Sequence, residues 1–487
     1  MSDLAPLVEE LVPAPDPVEA CACLQGLPFL AFFDSAGADE QLGRYSFVTA
    51  DPVTAVRSKG LLTQQLVDGR WIRVAADPLA HMESLLAPHA VAPLDLPPFQ
   101  GGAAGYVGYD WGMMLERVPR PRYDDLALPD VQLGLYDWVL AWDHAARRAW
   151  VISTGIPERG TAQRQHAARR LAFVRDRLAD GRTVGRSDER RPQRVHGAAP
   201  SFPVPDVPGV RSNFTRAGYL DAVQRVIDYV FAGDIFQANL SQRLEAPLVG
   251  TPLELYRRLR QRNPAPFSAY LDYGDVVVAS SSPERFLKVE PDGRVETRPI
   301  KGTRPRGLSP EHDAALAQAL VESDKDRAEN VMIVDLLRND LSRVCRPGTV
   351  RVPELFAIEH YATVHHLVST VVGQLAPEAA VPVDLLRAAF PGGSITGAPK
   401  IRAMQIIAEL EPTQRAVYCG AIGYLSRTGA LDMNIVIRTC LVLHDAVYVQ
   451  VGGGIVADSD PELEYRETLD KAGGLIAALA PAPALAP

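Results

Sequence analysis

The chain has 487 residues, 47% hydrophobic and 22% charged, which is enough apolar material for one or more buried cores and excludes a disordered chain. Its net charge of −9, with acidic and basic residues interspersed, argues against a nucleic-acid partner. The opening MSDLAPLVEE lacks the positive and apolar regions of a secretory signal, and no run of about 18 apolar residues could span a bilayer, so a cytoplasmic protein without a membrane partner is expected. The five cysteines, Cys21, Cys23, Cys345, Cys419 and Cys440, form no CxxC pair and read as buried reduced thiols, not as a disulfide framework or zinc site.

In chain order, strand-like runs come first: Phe29 to Phe33, Val131 to Trp142 and Ala149 to Ser153, followed by an amphipathic helix from Thr161 to Leu178. This half holds no cluster of catalytic residue types and reads as a supporting sheet region or a regulatory pocket. Between about 180 and 213 periodicity is lost and five prolines follow a charged stretch, which divides the chain into regions 1–180 and 213–480 joined by a linker over 181–212. Thr215 caps a helix with Tyr219, Leu220, Val223, Val226, Ile227 and Val230 on one face and Gly233 as its stop. In IFQANLSQRL the period of two sets Phe236, Ala238, Leu240 and Leu244 on a buried side, and Gln237, Asn239, Ser241 and Arg243 on an available one. Strands are expected at FSAYLDY, DVVVAS, ERFLKVE and RVETRP, helices from about 311 to 341, strands near 420 to 456 and a closing helix. Runs of strands followed by runs of helices predict α+β with a mostly antiparallel sheet.

Three constellations bear chemistry. Asp326 with Glu329, and Glu464 with Glu467, are spaced three apart on helices, so each pair shares a helix face; the second helix starts at Asp460 and Pro461. Each pair alone reads as a solvated face, but two such pairs facing each other can hold a hard cation such as Mg²⁺, which takes one or two carboxylates and keeps waters for an anionic substrate. PGGSITGAPKIRAM runs from a glycine loop into a helix with Pro399 near its start, and QVGGGIV follows a strand with Gly452, Gly453 and Gly454; either is an anion cradle or a plain turn. In TRPIKGTRPRG, Lys301 lies between Arg298, Arg304 and Arg306; neighbouring cations and partial burial favour the neutral, nucleophilic amine, and a loop that merely binds carboxylates is the alternative.

Taken together, SSPERF, RPIKGTRPRG, ENVMIVDLLRNDL, VHHLVS, PGGSITGAPKIRAMQIIAELEP, GAIGYL, NIVIRT, GGGIV and ETLDKA resemble, in order, the motifs of chorismate-utilising enzymes. They cover residues 213 to 475 densely, and the N-terminal half resembles the family more loosely through FFDSAG and RYSFVTADP. The resemblance implies one α+β fold, two large packed antiparallel sheets covered by helices, with N- and C-terminal segments interleaved. It implies that Glu329 and Glu467 ligate Mg²⁺ directly and that Glu464 and Asp326 act through water, glutamate being the more usual residue at the Asp326 position. It assigns Tyr418 and Arg438, with backbone at Gly452 and Gly454, to the enolpyruvyl carboxylate of chorismate, and places Ser394 near the ring and Lys471 close to metal and substrate. Glu284 resembles the general acid for the departing 4-hydroxyl, and His366 the histidine beside it.

Two positions separate the subfamilies. Relatives that add water have a lysine where this chain has Gln237, and anthranilate synthases usually read PIAGT where this chain reads PIKGT, the form of component I of aminodeoxychorismate synthases. The resemblance therefore implies conversion of chorismate and ammonia to 4-amino-4-deoxychorismate, on the way to 4-aminobenzoate and folate, through a covalent Lys301 adduct. Anthranilate synthase component I is the neighbouring reading, and a non-catalytic regulator is the reading from another class. No amidotransferase nucleophile motif surrounds any cysteine, so a separate glutamine amidotransferase subunit is expected to supply ammonia. FFDSAG and RNPAPF resemble segments framing the tryptophan pocket of anthranilate synthases, with Ser35 as a contact.

Overall fold

The computed structural model describes residues 5–36, 42–181, 199–205, 207–361, 364–376 and 381–479. Among these residues two sheets form, of thirteen and twelve strands, and every ladder between their strands is antiparallel. The α+β architecture expected from the order of elements is the one observed. Of the linker over 181–212, residues 182–198 and 206 lie outside the described residues; Phe202–Pro203 and Arg211–Ser212 pair with each other and extend the larger sheet at the edge of Gln237–Pro247.

The two halves share both sheets. In the larger one Leu30–Asp34 pairs with Phe267–Asp272, and in the smaller one Gly102–Val107 pairs with Ala421–Ser426. Apolar residues from both sheets, including Ala104, Tyr106, Ala269, Leu271, Val278 and Ile422, meet in one continuous layer between them. Helices close the outer faces: Pro252–Arg262 and Pro461–Leu479 pack on the larger sheet, and Pro78–Leu86 and Asp324–Ser342 on the smaller.

Local signals account for most boundaries. Thr215 caps Arg216–Phe231 through its hydroxyl, and Asp460 accepts the Leu463 N–H at the start of Pro461–Leu479. Thr251 and Glu254 form a reciprocal capping box. One expectation needs correction. Gln237–Pro247 is buried on both faces, because its polar face turns toward a buried ion pair, Glu411 with Arg415, and not toward an open cleft. Ser241 donates to Glu411 through N and Oγ at 2.8 and 2.7 Å, and Arg243 pairs with Asp125. Phe236, assigned to the buried side, instead lies just outside the strand and is 70% exposed.

The chain crosses from the larger sheet to the smaller at Ser282–Arg285 and back again at Ile435–Thr439. The crossings are tied together: the Ile435 N–H donates to Glu284 O at 3.0 Å, and the Ser281 N–H to Arg438 O at 3.1 Å. Two polar residues needed at a cleft, Glu284 and Arg438, thereby sit where the sheets meet. Leu240, fully buried in the strand that lines this region, tests the packing: Leu240→Ala should cost about 2–5 kcal/mol in urea unfolding, with the loss scaling with the cavity left.

Candidate active site

Lys301 lies on Ile300–Pro305, which pairs with Val364–Gln374. The ladder is regular at Ile300↔Val368 and again at Thr303↔His366, but shifts register between them, so Lys301 and Gly302 occupy an irregularity. Such a bulge re-aims a side chain out of the normal alternation, and Gly302 adopts φ +85° there, a conformation that suits glycine. Burial lowers the Lys301 ammonium below its ordinary value and Lys471 adds to this, while Glu329, Glu284 and Glu467 oppose it.

Glu284 is 4% exposed, and burial raises its carboxyl to about 7, against the pull of the Ser394 hydroxyl, Lys301 and the Ile300 N–H. A carboxyl that holds its proton near neutrality stands beside an amine pushed toward its neutral form. That pairing can deliver a proton and a nucleophile at one place. His366, 2% exposed, is held by Thr303 Oγ1 at 2.9 Å from Nδ1, and its Nε2 has no hydrogen-bond partner among the described residues. Burial, then the Arg438 charge, lower it to about 3, so it acts as a neutral imidazole. Among the described residues Arg438 has no carboxylate partner; its Nη1 donates to Asn263 Oδ1 at 3.2 Å. A desolvated guanidinium held only by an amide is suited to an anionic ligand.

The acid helices converge on the same region. Burial, then Asp326 and Glu467, raise Glu329, while burial and Glu467 raise Glu464, whose Oε1 accepts from Ser459 at 2.7 Å. For Glu467 burial acts upward, but Lys471 at 2.7 Å, with Lys325 and Lys301, brings it below its ordinary value. Lys471 Nζ also donates to Gly452 O at 3.0 Å. A Cβ built on Gly453 would lie 3.1 Å from Glu464 Oε2 and 3.6 Å from Glu467 Oε1, and one on Gly454 would collide with the Gln237 amide. The glycines thus let a strand run close beneath the carboxylates. The Gln237 Oε1 is buried without a partner among the described residues.

The remaining expected residues have partners of their own. Asp326 Oδ2 pairs with Arg304 Nη2 at 2.8 Å. Tyr418 stacks near Arg415 and lines a small separate cavity with Arg243, Thr439 and Gln450. Ser35 lines a third space, a cavity of about 420 Å³ between the halves, with Phe33, Tyr45, Phe267, Arg285 and Asn434; its hydroxyl donates to Tyr45 O at 2.6 Å. Sequence reasoning missed Lys325, which acts electrostatically on Glu329, Glu464 and Glu467; its spacing of four from Glu329 was the available signal. Thr303 and Asn263, which hold His366 and Arg438, gave none.

Among the described residues no three His, Cys, Asp or Glu groups are close enough together to hold a metal by themselves. The donor set is nevertheless all oxygen, and like charges at Glu329, Glu464 and Glu467 perturb one another, which fits a hard cation bound by one or two carboxylates and completed by water and substrate oxygens. None of the described helices is long and apolar enough to cross a membrane.

The fold and the gathered side chains define an α+β protein in which two packed antiparallel sheets bring a buried acid, an amine and a cluster of carboxylates to one place. Residues 34–477 match the model of the chorismate binding enzymes, and the chain belongs to that family of chorismate-utilising enzymes. It is 42% identical to aminodeoxychorismate synthase component 1 of Salmonella typhimurium over 479 residues, 98% of this chain and 99% of the relative. It is 45% identical to anthranilate synthase component 1 of Thermus thermophilus over 414 residues, 83% of this chain and 82% of the relative. The crystal structure of anthranilate synthase component I from Streptococcus pneumoniae superimposes with a TM-score of 0.76 at 33% identity, covering 89% of this chain and 92% of that one.

Because Glu284 is raised to about 7, it keeps its proton below that pH and ionises as pH rises through it. Infrared titration, taken as wild type minus Glu284→Gln, should show a protonated-carboxyl band lost with a midpoint near 7. The same difference spectrum with a midpoint near the ordinary carboxylate value would remove Glu284 as a proton donor at neutral pH.

Proposed function

We propose that this chain is component I of an aminodeoxychorismate synthase, which converts chorismate and ammonia to 4-amino-4-deoxychorismate. The observation that carries the reading is Lys301, placed in a bulge beside Glu284 and within the field of Glu329 and Glu467. Near-full-length similarity to aminodeoxychorismate synthase component 1 supports it, and PIKGT in place of the PIAGT usual in anthranilate synthases supports the same choice.

In this mechanism the neutral Lys301 amine adds to ring carbon 2 while the Glu284 carboxyl gives its proton to the 4-hydroxyl, which leaves as water. Ammonia then attacks carbon 4, the double bond shifts back, and the lysine is released. Two displacements replace one difficult substitution and put the ammonia nitrogen on carbon 4. Arg438, with neutral His366 beside it, binds a carboxylate of the substrate, and Gln237, packed against Gly454 with its Oε1 buried and unpartnered among the described residues, offers an amide in place of a lysine that would activate water. Glu329 and Glu467, with Glu464 behind them, would hold Mg²⁺, which when bound neutralises the ring carboxylate and eases electron flow through the diene. The component 1 name of the relatives implies a second subunit, and a glutamine amidotransferase is the partner that would generate ammonia.

Incubation of the full chain with chorismate, Mg²⁺ and excess ammonium should yield 4-amino-4-deoxychorismate, identified by chromatography and mass. Lys301→Ala should abolish that product, and chelation of the divalent cation should stop turnover until Mg²⁺ is restored. Anthranilate from the wild-type chain would overturn the proposed product and leave the family membership standing. Glu329→Gln and Glu467→Gln should each raise the Mg²⁺ needed for half-maximal rate by about 10–100-fold; an unchanged requirement in both would remove them as ligands.

A further inference from the structure

We propose that Asp326 is a positioning residue that latches the strand bearing Lys301 to the helix bearing Glu329, and that its carboxylate serves Arg304 and not the cation. Gly302, next to Lys301, lies in the left-handed region at φ +85°, and a glycine has little intrinsic preference to stay there. The bulge must therefore be held by its neighbours.

Thr303 is fixed on one side by His366. On the other, Leu320 and Asp326 lie against the bulge: Leu320 Cδ1 is 2.8 Å, and Asp326 Cβ and Cγ each 3.0 Å, from where a Cβ on Gly302 would sit. The Asp326 Oδ2 then reaches past Gly302 to Arg304 Nη2 at 2.8 Å, and its own N–H is capped by Ser323 Oγ at 3.3 Å. One side chain at the first turn of the helix thus backs the residue after Lys301 and grips the residue three beyond it. The ion pair is only partly exposed, with Asp326 at 15% and Arg304 at 35%. An aspartate whose charge is matched by a guanidinium has less of it to offer a cation.

The inference rests on reading Lys301 as the nucleophile, but it is tested separately by a double-mutant cycle on the full chain with Asp326→Asn, Arg304→Gln and the double variant. Three quantities are measured: kcat and KM with chorismate and ammonium, the dissociation constant of Mn²⁺ from the signal of the free ion in electron paramagnetic resonance, and hydrogen exchange in a peptide covering 298–308. A latch predicts that each single variant lowers kcat about ten-fold, leaves KM and Mn²⁺ binding within about two-fold and accelerates exchange in that peptide, while the double variant is no worse than the poorer single. Mn²⁺ binding weakened about ten-fold by Asp326→Asn but unaffected by Arg304→Gln would overturn it, and so would penalties that add. Arg304→Gln attacks the latch from the strand side and keeps the test decisive if Asp326→Asn fails to fold. If Lys301→Ala retains amination, the nucleophile reading fails, but the exchange and Mn²⁺ comparisons still decide the latch.

Discussion

Burying an amine next to a carboxylic acid is the constraint on which the rest of this structure depends. Either group alone would recover water by moving outward, and the lowered Lys301 and raised Glu284 exist only because the surrounding protein holds both in place. The fold does this with two different devices. Glu284 is fixed by a crossing between sheets whose backbone is tied to the return crossing, and Lys301 by a strand irregularity that sends it out of the regular alternation. Glu284 sits in a short connection anchored by strands on both sides, and Lys301 within a strand, so neither group hangs on a long loop for its position.

The same economy appears in the charges around the cleft. Glutamates on two helices meet above a strand of glycines, and lysines at 301, 325 and 471 balance them. An anionic substrate with a divalent cation would add roughly as much positive as negative charge to this set. The buried pair Glu411 and Arg415 lies behind it, and binds the strand that carries Gln237 to the loop that carries Tyr418.

Much of the fold was legible because the signals were local. Caps at Thr215 and Asp460 and the β-branched run DVVVAS depend on neighbours in sequence, and they mark two helix starts and the strand Val276–Ser282. Family motifs supplied the candidate residues, and Lys301, Glu284, Ser394, Glu329, Glu464, Glu467 and Lys471 do gather. What could not be read was set by distant partners. The burial of both faces of Gln237–Pro247 depends on Glu411, 170 positions from Ser241. The pairing of Asp326 with Arg304 depends on a strand and a helix meeting, and the hold of Thr303 on His366 on the register of a ladder. Spacing within one element says nothing about these.

The interleaving of the sheets also has a consequence for the chain as it is made. Val107 emerges from the ribosome with its outer neighbour Val131 soon available, but its other partner, Ala421, is made roughly 300 residues later, a wait of roughly 15–60 s at about 5–20 residues per second. Throughout that interval the first half presents an unpaired strand edge and the apolar surface destined for the layer between the sheets. Native topology thus becomes available only near the end of synthesis, so a nascent chain of this design depends on protection from its neighbours until its last strands arrive.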